Sequence, residues 1–61
     1  MITLELREAE CHHLKACLES ALRELRHEIA RTERREFREM LLERERVLTE
    51  VAARIPAPVP A

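Results

Sequence analysis

The chain has no glycine, tryptophan or tyrosine, and Phe37 is its single phenylalanine. With no glycine, and no proline before Pro56, nothing in the first 55 residues forces a turn. Neither sign of charge is in excess. Eleven basic residues face twelve acidic ones, for a net charge of −1. No broad field therefore draws the protein towards phosphate backbones or anionic membranes. Long apolar runs are also missing: nothing approaches the roughly 18 apolar residues of a membrane span, and the start of the chain lacks a basic-then-apolar leader. These absences predict a soluble cytoplasmic protein with neither nucleic acid nor membrane as partner. Cysteine is scarce too. On one helix Cys11 and Cys17 are separated by about 9 Å of rise, beyond the reach of a disulfide, so free thiols and a reducing compartment are expected.

What is present is mostly Arg, Glu, Leu and Ala, with 38% of residues charged and 46% hydrophobic. That composition belongs to a helical or coiled-coil protein, so the fold class is all-α. A chain of 61 residues forms one structural unit and buries too little surface to be comfortable alone, which implies a partner.

The apolar residues form two stripes. At 100° per residue, Cys11, Leu14, Leu18, Leu22, Leu25 and Ile29 share one helix face, and Phe37, Leu41, Leu48, Val51 and Ile55 share another turned by roughly 90°. The six residues between, Arg31 to Glu36, are all polar. Two amphipathic helices in an antiparallel hairpin fit better than one continuous rod of roughly 75 Å. The first helix is expected over about 4–31 with Thr3 as N-cap, although Ile2, Leu4 and Leu6 alternate as in a short strand. The second is expected over about 33–54, with Thr32 as N-cap and Glu33 and Glu36 at the positive end of the helix dipole. Pro56 lacks an amide hydrogen and pushes Ile55 out of helical geometry, so the second helix stops there. Pro56, Pro58 and Pro60 alternate with small apolar residues, and 56–61 reads as a flexible, polyproline-like tail.

The stretches Leu25-Arg26-His27-Glu28-Ile29, Thr32-Glu33, Phe37-Arg38-Glu39-Met40-Leu41 and Arg44-Glu45-Arg46-Val47-Leu48 carry a pattern of the form LRxEI, Thr-acid, FRExL and RExxL. Over roughly residues 18–52 the chain resembles a group of short bacterial proteins of unknown function. The resemblance implies a helical hairpin and supplies no catalytic residue, cofactor or partner.

Several clusters bear on chemistry. Glu10, His13 and Cys17 have spacings that let three metal ligands approach one ion from a single helix, as in carboxylate-bridged bundles. They sit roughly 80° to 140° off the first stripe, on the flank, so no metal is expected there. A reactive Cys11 or Cys17 needs a lowered thiol pKa, an orienting group and a cavity, for which two helices leave little room, so no enzyme activity is expected. Arg31, Arg34, Arg35 and Arg38 cluster as nucleic-acid contacts do, yet Glu33, Glu36 and Glu39 compensate them. Pairs such as Glu19 with Arg23 and Glu50 with Arg54 have the helix-stabilising i, i+4 order. Arg44 interrupts the second stripe and is placed to snorkel or to pair with Glu28 across an interface. Leu6 and Leu42 point away from the stripes.

Together these features predict a non-enzymatic protein–protein interaction module, a scaffold, adaptor or accessory subunit without cofactor. Its hairpins are expected to pair into a homodimeric four-helix bundle, or to bind another helical protein. The expected core and interface residues are Leu18, Leu22, Leu25, Ile29, Phe37, Leu41, Leu48 and Val51. The alternatives are a metal-binding bundle through Glu10, His13 and Cys17, and a small nucleic-acid-binding regulator.

Overall fold

In the computed structural model, which describes residues 1–56, the first helix, α1, spans Glu8–Arg31. It starts four residues later than the Thr3 cap predicts. Residues 1–7 belong to neither helix nor strand; Arg7 is the N-cap, extended at φ −74° and ψ 159°. Glu10 explains the shift. Its carboxylate reaches back to accept the Arg7 amide hydrogen at 2.8 Å, and Glu8 and Glu10 place negative charge against the N-terminal dipole. Thr3 has no such acid three residues on, because Leu6 stands there.

The second helix, α2, spans Arg35–Arg54. Thr32 does not cap it. Thr32 instead closes α1, where its hydroxyl donates to the Glu28 carbonyl at 2.7 Å and its amide to Ile29 O at 3.4 Å. The N-cap of α2 is Arg34, which makes no side-chain capping bond. Thr32 and Arg34 are both extended, with ψ 124° and 119°, and no non-glycine residue has positive φ among the described residues. The chain thus reverses through backbone conformations open to any residue, which is how it turns without glycine. At the other end Ile55 is extended at ψ 117°, as a residue before proline must be. Residues 57–61 of the expected tail lie outside the described residues.

Cross-helix bonds set the direction of packing. Lys15 lies level with Ile55, Arg26 with Glu45 and Ile29 with Arg38, so the helices run antiparallel. The core between them is small: Leu22, Leu25, Ile29, Leu41 and Ile55 are buried, and Leu48 packs against the Leu25, Ile29 and Leu41 cluster. Cys11, Leu14 and Leu18 are half-buried. Leu41 is the most enclosed, at 3% exposure.

Each helix also completes the C-terminus of the other. The Lys15 ammonium donates to Ile55 O at 2.8 Å and Ala52 O at 3.4 Å, while the Arg38 guanidinium donates to Ile29 O at 3.3 Å. Carbonyls in the last turn of a helix have no partner within it and sit at the negative end of its dipole, so a cation there supplies both a hydrogen bond and a favourable charge. Replacing Lys15 by Met keeps most of the apolar stem and removes the donors. The hairpin is expected to lose about 1–2 kcal/mol, read from the midpoint of urea unfolding against the parent chain; an unchanged midpoint would show that water serves those carbonyls equally well.

Candidate functional site

Two helices side by side make a layer with two faces. The principal extents of 44 × 28 × 12 Å describe such a layer. Its faces differ in chemistry. On one lie the cross-helix polar contacts: Arg26 Nε with Glu45 Oε2 at 3.0 Å, and the Lys15 and Arg38 bonds to backbone carbonyls. The other carries a groove lined by Ala21, Glu24, Leu25 and Glu28 of α1 and by Phe37, Leu41, Arg44 and Leu48 of α2.

The second apolar stripe divides between these neighbours. At 100° per residue Leu41, Glu45, Leu48 and Ala52 lie within about 40° of one direction on α2, which is the direction of α1. Phe37, Arg44, Val51, Met40 and Val47 lie about 40° to 120° to one side of it. Phe37, Met40, Val47 and Val51 accordingly remain 41%, 46%, 42% and 37% exposed. Their positions, with Arg44, step by three and four residues, the spacing of a coiled-coil seam, and no other helix of the described chain covers them, though Leu4 and Leu6 approach Val51 at one end. Of the residues expected at core or interface, Leu22, Leu25, Ile29 and Leu41 are buried and Leu18 and Leu48 half-buried between the helices. Phe37 and Val51 belong to the uncovered seam. A single averaged stripe leaves out Met40 and Val47, which fall at its edge; the three-and-four spacing from Phe37 to Val51 is the sequence signal that includes them.

Charge divides by helix within the groove, while near the bend Phe37 and Met40 lie beside Arg34, Arg35 and Glu36. Among the groove-lining residues Glu24 and Glu28 come from α1 and Arg44 from α2. Arg44 and Glu24 form no ion pair among the described residues, and Glu28 makes only an exposed contact of 3.3 Å with Arg31. The expected Arg44–Glu28 pair is thus not made within the chain, and the cross-helix pair is Arg26–Glu45 on the opposite face. Among the described residues the expected Glu19–Arg23 and Glu50–Arg54 pairs are not formed either. Arg46 instead bridges Glu43 and Glu50, and Arg35 meets Glu39 at 3.3 Å. The hydrogen bond from Arg46 holds the Glu43 carboxyl below its ordinary range, and the same contact raises the guanidinium. A lowered carboxyl adds stability above its unfolded pKa and loses it as pH falls through the folded one, but this pair is fully in solvent and only tunes the helix surface.

A second apolar surface lies at the open end of the hairpin, where Leu4 and Leu6 approach Cys11, Leu14, Val51 and Ile55. Leu6 is half-buried there and does not point away, whereas Leu42 is exposed as its position implies. Glu10 of the Glu10, His13 and Cys17 set is engaged by the Arg7 amide, and among the described residues no three His, Cys, Asp or Glu side chains converge to hold a metal ion. His12 and His13 meet edge to face with ring centroids 5.5 Å apart. No described helix is long and apolar enough to cross a membrane. Compared with known proteins, the chain matches no family model, no curated protein and no solved structure.

Proposed function

We propose that this chain is a small, non-enzymatic protein–protein interaction module that works as a homodimer, two hairpins stacking their open faces into a four-helix bundle. The observation that carries this reading is the uncovered seam of Phe37, Met40, Val47 and Val51. Apolar side chains repeating every three and four residues along one side of a helix form a surface that another helix fills. The charges of the same face favour a second copy as occupant. One helix brings carboxylates and the other a guanidinium, so the face is complementary to itself under a two-fold axis.

The size of the core supports the same conclusion. Five buried apolar residues, none of them fully enclosed among the described residues, are few for holding 44 helical residues. Covering the second face turns a layer with one core into a bundle with a shared one.

The test is the mass of the untagged chain in solution. Light scattering or native mass spectrometry is expected to give twice the 7.2 kDa chain mass, and helicity is expected to fall on dilution as the dimer dissociates. A species of single-chain mass whose helicity is independent of concentration would overturn the proposal.

A further inference from the structure

We infer that the two copies pack with their bends at the same end of the bundle, so that α2 of each chain lies along α1 of the other and Arg44 meets the partner's Glu24 and Glu28. This rests on the self-association proposed above and adds the arrangement that the face selects.

Two identical two-helix layers stack face to face about a two-fold axis in two ways. With the axis along the helices, each residue keeps its height, the bends coincide, and α2 of one copy covers α1 of the other. With the axis across the helices, the bends lie at opposite ends, α1 covers α1 and α2 covers α2.

Charge separates the two. Arg26 lies level with Glu45, which puts Arg44 at a height between Glu24 and Glu28. In the first arrangement the guanidinium faces two carboxylates at its own height, and symmetry makes the contact twice. In the second, Arg44 faces the apolar seam of another α2, or a second Arg44, and the carboxylates of α1 face each other. A charge withdrawn from water without a partner is costly, so the second arrangement is penalised at both sites.

Side-chain size separates them in the same sense. The α2 half of the face carries Phe37, Met40, Val47 and Val51, while at 100° per residue the α1 half carries Cys17 and Ala21. By height Val51 falls between Cys17 and Ala21 and Val47 level with Glu24, while Met40 and Phe37 lie level with the end of α1 and the bend. Val51 over the small Cys17 and Ala21 interdigitates at the density of a protein interior, whereas α2 on α2 crowds Val47 and Val51 against a second seam and leaves the Cys17 and Ala21 stretch of α1 facing its own copy.

The experiment places a nitroxide label on Glu33→Cys, an exposed position in the bend, in the full chain with Cys11→Ser and Cys17→Ser. The distance between labels is read by pulsed electron–electron double resonance. Bends at one end put the labels roughly 15–25 Å apart, since neighbouring helix axes in a bundle lie 8–10 Å apart and the label arms add the rest. Bends at opposite ends of a layer 44 Å long put them roughly 40 Å apart or more. The short distance is expected. A long one overturns the arrangement and leaves self-association standing, whereas absent coupling with a single-chain mass overturns both. Charge reversal gives an independent reading. Arg44→Glu is expected to weaken the dimer about ten-fold or more, and adding Glu24→Arg and Glu28→Arg to the same chain to restore it to within about three-fold. Failure of the triple variant to recover, with helicity retained, also overturns the arrangement.

Discussion

Leu41→Asp is expected to leave a chain with little helix at micromolar concentration. Leu41 sits at 3% exposure in the apolar cluster with Leu25 and Ile29 between α1 and α2. Aspartate there removes most of an apolar side chain and puts a carboxylate among the hydrocarbon of Leu25, Ile29 and Leu48. Large-to-small changes in a core cost about 2–5 kcal/mol, and an unpaired buried charge adds to that. A single core in a chain this small rarely supplies more than about 3–5 kcal/mol, so the substitution exceeds what the hairpin has. Far-UV circular dichroism measures the loss. Leu42→Asp, one residue along on the exposed side of α2, is the control and is expected to stay within about 0.5 kcal/mol of the parent. If Leu41→Asp kept the parent's helicity and midpoint, the packing of α2 on α1 through Leu41 would be wrong.

Met40→Glu with Val47→Glu acts on the other side of the same helix and is expected to break the dimer without touching the contact between α1 and α2. Both side chains are more than 40% exposed, so in the single hairpin the replacements stay in water and retain good helix formers. In the proposed bundle each copy would bring two carboxylates into an apolar seam facing Glu24 and Glu28. Like charges brought together in an interface cost several kcal/mol, which implies a dissociation constant raised about 100-fold or more. Sedimentation equilibrium should return 7.2 kDa at concentrations where the parent weighs twice that. Helicity of the variant should no longer depend on concentration, which distinguishes a lost interface from a lost hairpin. A variant that stayed dimeric would move the interface away from the Phe37 to Val51 seam, to the apolar surface at the open end or to the polar face.

These substitutions also separate the two contributions of α2. Read along the chain, Phe37, Leu41, Leu48, Val51 and Ile55 form one stripe. In the folded hairpin Leu41, Leu48 and Ile55 turn towards α1, while Phe37 and Val51 join Met40 and Val47 on the uncovered side. The placement of Arg44 follows from this division. It is the charged step in the outer seam and leaves the inner one, which runs through Leu41, Glu45 and Leu48, with Glu45 paired to Arg26 at its polar edge.

The sequence by itself determined what depends on neighbours a few residues away. Helix was legible from the three-and-four spacing of leucines, the end of α1 at Arg31 from the polar gap that follows, and the end of α2 at Arg54 from Pro56. Each is settled by covalent geometry or by burial within one turn. Only the tertiary structure decided between competing uses of the same group. The Thr32 hydroxyl has the chemistry to cap either helix, and it donates back to Glu28 because Arg34 and not Thr32 enters α2. Glu10, a metal-ligand candidate by spacing, is the acid that starts α1 at Glu8. Lys15 and Arg38 reach carbonyls 40 and 9 residues away, a pairing that depends on how the helices slide past each other. The stripe on α2 divided for the same reason. Helical periodicity gives the angle of each side chain about its own axis, but which part of an apolar arc is covered depends on where the neighbouring helix lies.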